Sequence, residues 1–181
     1  MSRRLAPALL AAALLALGLA GCGGSDSATF SDSGAPFTFS YPKDLHRVYA
    51  NTGREIKGLP PKYRVALGTD ESNVVVVAQY ALAKDVSKLK KGALAIAVER
   101  SARALARAMG GTPPKAGTTS MGDLPATQFE FSTKSGSLTT RLVYAFQGKT
   151  QYFVRCQWED PSKDAITAAC DEVVKTLQPA G

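Results

Sequence analysis

The chain has 181 residues, 45% of them hydrophobic, and 22 Lys and Arg against 15 Asp and Glu give it a net charge of +7. A basic balance favours association with an anionic membrane face or cell-wall polymer and is silent about fold. One histidine and three cysteines leave a metal site short of ligands.

Ser2-Arg3-Arg4, followed by Leu5 to Leu19 in which nearly every residue is Ala or Leu, has the basic start and short apolar core of a secretory signal. A membrane-spanning helix needs about 20 apolar residues, and this run is shorter and ends in small ones. Leu19-Ala20-Gly21-Cys22 resembles the bacterial lipoprotein lipobox at each position. The resemblance implies that residues 1–21 are a signal peptide to be removed and that Cys22 carries a diacylglyceryl anchor, with palmitate among its acyl chains. The alternative is a plain signal followed by an incidental cysteine. Two acyl chains hold a protein on a membrane durably where one does not. The signal takes two of the basic residues and none of the acidic ones, so the mature chain keeps a net +5.

Residues 23–35, GGSDSATFSDSGA, are Gly, Ser and Asp with a single Phe, a composition that predicts a flexible tether spanning on the order of 20 Å. Residues 22–35 therefore read as a lipidated tether and 36–181 as one domain, long enough for a core of its own.

Phe37-Thr38-Phe39-Ser40-Tyr41-Pro42 alternates aromatic and polar residues, which predicts a strand with one buried face. A loop with Gly53, Gly58, Pro60 and Pro61 leads to a second alternation at Tyr63, Val65 and Leu67. Asn73 to Leu82 is rich in valine, as in a strand covered on both faces. Between Lys91 and Met109 the period becomes helical: Leu94, Val98, Ser101, Leu105 and Ala108 form one stripe, and Arg100, Arg103 and Arg107 another. Gly110-Gly111 ends that helix and Pro113-Pro114 prevents its return. Lys115–Met121, Ala126–Thr133, Ser137–Gln147 and Gln151–Trp158 are separated by short glycine-containing breaks, the mark of an antiparallel meander. Asp160 caps a last helix with Pro161 at its first position, running to about Leu177.

Cys156 shares a strand face with Tyr152, Val154 and Trp158, and Cys170 shares a helix face with Ile166, Val173 and Leu177. Both thiols point into the seam between strand and helix, which in an exported chain favours a disulfide. Two buried free thiols or a redox pair are the alternatives, and no CxxC spacing supports the latter.

The opening FTFSYP, the central helix, LPATQFEF from Leu124 to Phe131, and YFVRCQWE followed by a helix with Ala169-Cys170-Asp171 resemble PsbP-like domains, in particular actinobacterial lipoproteins of the LpqN type. The resemblance spans about residues 36–178 and implies an α+β fold, a central antiparallel sheet sandwiched by helices. Related domains share docking or assembly roles without a common chemistry.

Catalytic signals are thin. His46 with Asp44 makes an incomplete metal pair, and a solvated loop histidine explains it. Ser40, Ser101 and Ser120 lack a GxSxG context for a hydrolase with His46 as base. Glu130, opposite Phe129 and Phe131 on its strand, is either a partly buried acid or part of a solvated face. No phosphate-cradling GxGxxG or GxxxxGK is present.

Arg100, Arg103 and Arg107, with Lys84, Lys88, Lys90 and Lys91, are the candidate binding face, set against the simpler reading of a solvated helix surface aided by a Glu99–Arg103 pair. The leading expectation is an extracytoplasmic, membrane-anchored accessory domain of the cell envelope, non-enzymatic and monomeric, without cofactor, metal or nucleic acid, that binds an envelope protein or anionic polymer. A carrier of a small apolar ligand or lipid between sheet and helix is the second reading, and a hydrolase the third.

Overall fold

The computed structural model describes residues 26–49, 59–112 and 114–180. The signal at 1–21, Cys22, the first tether residues, Gly53, Gly58 and Pro113 lie outside these. In chain order the elements are β1 (Ser27–Phe30), β2 (Phe37–Pro42), β3 (His46–Arg47), β4 (Tyr63–Gly68), β5 (Val74–Ala81), α1 (Ala93–Ala108), β6 (Lys115–Met121), β7 (Leu124–Ser132), β8 (Thr139–Gln147), β9 (Thr150–Trp158), α2 (Lys163–Thr176) and β10 (Gln178–Pro179).

Seven strands form one antiparallel sheet in the order β3-β4-β5-β9-β8-β7-β6, and β1-β2-β10 form a second. The meander β6 to β9 follows from its turns: Gly122, Gly136 and Gly148 all have positive φ, which a tight hairpin demands and other residues resist. The valine run lies where it can be covered twice. Val75 and Val77 join the core under α2, while Ala78 and Tyr80 join the core under α1.

The two cores lie on opposite faces of the large sheet. On one, α1 places Val98, Ala102, Leu105 and Ala106 against Phe129, Phe131, Leu142, Tyr144 and Phe153. On the other, α2 and the small sheet cover Val65, Leu67, Val154 and Trp158 with Ile166, Val173, Phe37 and Phe39. The sheet is thus sandwiched by helices, as expected for this α+β chain, with α2 sharing its side with three extra strands.

Two expectations are corrected. The tether does not extend to Ala35: Ser27–Phe30 pairs with β2 in the register Ser27↔Pro42 to Phe30↔Phe39, and Phe30 is 4% exposed. The one aromatic in a polar stretch is enough to order it, because the hydrogen-bonding edge and aromatic surface of β2 wait beside it. Across the loop, Arg47 pairs with Asp32 and lies over the Phe30 ring at 5.6 Å from its centroid, and Tyr63 Oη donates to Asp32 Oδ2 at 3.1 Å. The hydrogen bond from Arg47 holds the Asp32 carboxyl below its ordinary range. The buried stripe of α1 is also rotated from the expected one: Ala102 and Ala106 are buried, Ser101 is half-buried and Ala108 is exposed.

Cys156 on β9 and Cys170 on α2 form a disulfide with Cα atoms 5.9 Å apart, both cysteines fully buried. At the far end of α2, the β6–β7 turn is pressed against the helix: Gly122 N–H donates to the Val174 carbonyl at 2.8 Å. A Cβ at Gly122, where φ is +54°, would lie 2.1 Å from the Leu177 carbonyl oxygen. Gly122→Ala is therefore expected to lower stability by about 1 to 3 kcal/mol. Gly136→Ala, at φ +74° but in open space, should cost less. Urea midpoints of the two variants check this.

Candidate docking face

α1 begins after Gly92 and ends where Met109 and Gly110 turn the chain, Gly110 at φ +70°. With Val98, Ala102, Leu105 and Ala106 turned to the sheet, the helical repeat leaves Ile96, Arg100, Ala104 and Arg107 on the outer side. Ile96 is 61% exposed and adds an apolar side chain to this outer side. Ile96, Glu99, Arg100, Arg103, Ala104 and Arg107 line a shallow depression of about 300 Å³.

The three arginines are not equivalent. Arg103 donates to Glu99 Oε1 through Nε at 3.0 Å and Nη2 at 2.6 Å, an i,i+4 pair worth a few tenths of a kcal/mol at this exposure. Arg100 and Arg107 are exposed and pair with no carboxylate among the described residues. The expected basic stripe is present, with two of its charges uncommitted and an isoleucine beside them. Lys84, Lys88, Lys90 and Lys91 are exposed on the segment that enters the helix.

On the opposite side of the sheet, a cleft of about 290 Å³ between α2 and β6–β8 is lined by residues including Thr119, Gln128, Arg141, Asp171 and Lys175. Arg141 Nε donates to Glu130 Oε2 at 3.0 Å and Nη1 to Asp171 Oδ1 at 2.7 Å, and its guanidinium lies 5.7 Å from the Trp158 ring centroid. Glu130 is exposed and ion-paired, so the solvated-face reading holds. Arg141 in this cleft is already paired with Glu130 and Asp171, and Thr119, Gln128 and Lys175 add further polar groups to its lining. Sequence reasoning missed Arg141; its position across from Glu130 on adjacent strands is a register fact.

His46 and Asp44 are both exposed, and no group of three His, Cys, Asp or Glu residues among those described is placed to hold a metal. No hydrogen bond joins His46 to a serine among the described residues. The Ser40 backbone N–H instead donates to Thr176 Oγ1 at 2.8 Å, which ties β2 to α2.

No family model matches the chain, and no curated protein matches it in sequence. Solved structures do. The fold is similar to that of cyanobacterial PsbP (CyanoP) from Synechocystis sp. PCC 6803, with TM-score 0.58 and 15% identity over 90% of this chain and 99% of that one. A protein from Bacteroides thetaiotaomicron VPI-5482 aligns with TM-score 0.55 and 13% identity over 86% of this chain, which spans 49% of that longer one. LpqN, involved in cell envelope biogenesis of Mycobacterium tuberculosis, aligns at TM-score 0.49 and 10% identity over 88% of each chain, too slight a likeness to build on. The fold is PsbP-like. At these identities the likeness extends to the fold alone.

Proposed function

We propose that this chain is a lipoprotein of the cell envelope, anchored at Cys22 on the extracytoplasmic face of the membrane, and that its PsbP-like fold is a non-enzymatic accessory domain that docks a partner through the outer face of α1. The observation that carries the docking face is the pair of uncommitted arginines, Arg100 and Arg107, beside the exposed Ile96. Exposed charges with no internal partner contribute little to the fold and are available to an anionic surface. The anchor rests on Leu19-Ala20-Gly21-Cys22.

Cys22→Ser is expected to release the protein from membranes or leave it unprocessed. Fractionation that finds the variant mature and still membrane-bound would remove the anchor from this reading.

Replacing Arg100, Arg103 and Arg107 by Gln should weaken binding of the unlipidated chain to anionic vesicles or wall polymer by roughly ten-fold or more, since a basic side chain near an anionic surface is worth about 1 kcal/mol. Binding by the parent should fall as salt rises, because exposed charges are screened within about 8 to 10 Å. Glutamine has a helix propensity close to that of arginine, so thermal stability serves as the internal control. Sedimentation at low and high salt reads the result, and equal binding by two folded proteins would return the stripe to a plain solvated surface. The soluble chain for this test begins at Gly23, since one begun at Pro36 lacks β1.

A further inference from the structure

We infer that the outer face of α1 is turned away from the bilayer that holds Cys22 and receives an acidic segment of a protein lying beyond it. The inference rests on the anchor proposed above and follows from where the folded chain begins.

Only four peptide units separate Cys22 from Asp26, where the described chain begins. Fully extended, they reach at most about 14 Å. β1, which follows at Ser27, lies in the small sheet packed on the α2 side of the large sheet, and α1 lies on the other side. Face-packed layers stand about 10 Å apart and a helix has a radius of about 5 Å, so the outer surface of α1 is about 25 Å from the β1 layer. A bilayer lying flat on α1 would need the linker to cover that distance, and it is too short. The sideways offset acts in the same sense. Residues beside the chain's entry, such as Lys43, whose N–H donates to the Asp26 carbonyl at 2.8 Å, lead into β3 at one edge of the large sheet. α1 instead packs over residues of β5, β9, β8 and β7, toward the opposite edge.

The chemistry of the face selects the partner. Arg100 and Arg107 call for carboxylates or phosphates. Ile96 and Ala104, exposed on the same outer side, add an apolar spot that a chain of sugars and phosphates leaves wet and a protein side chain covers. An apolar centre with arginine at its rim is the anatomy of a protein interface. The occupant is accordingly an acidic stretch of protein that carries an apolar side chain among its carboxylates.

The test uses the whole lipidated chain. Cys156 and Cys170 are bonded to each other and Cys22 carries the lipid, so a cysteine introduced by Lys43→Cys or Ala104→Cys is the only thiol to label. Each fluorophore-labelled variant is reconstituted in vesicles of phosphatidylglycerol and phosphatidylcholine containing a headgroup-nitroxide lipid. Strong quenching at position 43 and little at 104 is expected; equal quenching, or more at 104, overturns the orientation. Membrane release of the Cys22→Ser variant is scored separately, so that failure of the anchor is not mistaken for failure of the orientation. For the partner, a photo-crosslinking residue at position 104 in native envelope should yield an adduct identified by mass spectrometry as an acidic protein segment, and the adduct should be lost when Arg100 and Arg107 are both replaced by Gln. An adduct with phospholipid or polymer, a protein adduct that survives the double replacement, or no adduct overturns the assignment.

Discussion

Phe30→Ala should destabilise the protein by about 3 to 5 kcal/mol, the cost of emptying a fully packed aromatic site. Phe30 is 4% exposed, its ring stacked on Phe39 at 4.8 Å and 11° and tilted against Phe37 at 6.0 Å, with Tyr63 edge-on at 6.3 Å. Arg47 covers its outer side. Removing the ring exposes Phe37 and Phe39 of β2 to a void and releases the strand that pairs with them. A chain begun at Pro36 should lose at least as much, because it gives up the strand hydrogen bonds as well as the ring. Urea unfolding of chains begun at Gly23 and at Pro36, with Phe30→Ala in the longer one, separates the two contributions. Equal midpoints for all three would show that β1 does not belong to the folded unit.

Cys156→Ala should cost about 2 to 5 kcal/mol, as loss of a native bridge does in a small secreted domain. The bridge closes a short loop, a sequence separation of 14, and it joins β9 to α2 in the middle of the core. Cys170→Ala should cost a similar amount. The double variant should lose little more than either single one, since all three break the same bond. Intact mass before and after reduction and alkylation reports the bridge directly, and two thiols labelled without reductant would rule it out. Reduction of the parent should reproduce the loss of stability seen in the variants.

Much of the fold was legible in the sequence because its signals are local. Period two in Phe37–Pro42 and in the Tyr152-Val154-Cys156-Trp158 face, helical period in Ile166-Cys170-Val173-Leu177, and glycines at three hairpin turns each concern a few neighbouring residues. Two such faces brought Cys156 and Cys170 to one seam and favoured the disulfide that the structure contains. The arginine stripe was legible for the same reason, although Glu99 commits only Arg103 and leaves the other two available.

Burial that depends on distant partners was not legible. Ser27–Phe30 reads as polar coil by composition, and only the waiting edge of β2 together with Arg47 and Tyr63 makes its one aromatic a core residue. In α1 the alanines carry too little hydrophobic contrast to define the phase of the helix, and the Phe129, Phe131 and Tyr144 side chains beneath it select Ala102 and Ala106 over Ser101 and Ala108. On β9, Arg155 and Gln157 face away from Cys156 and are still only 4% and 7% exposed; Gln157 Nε2 donates to the carbonyls of Glu71 and Ser72, residues far away in the chain. Periodicity determined which residues share a face, a property of adjacent covalent geometry; which face is covered was decided by segments far away in the chain, and only tertiary packing brings those together.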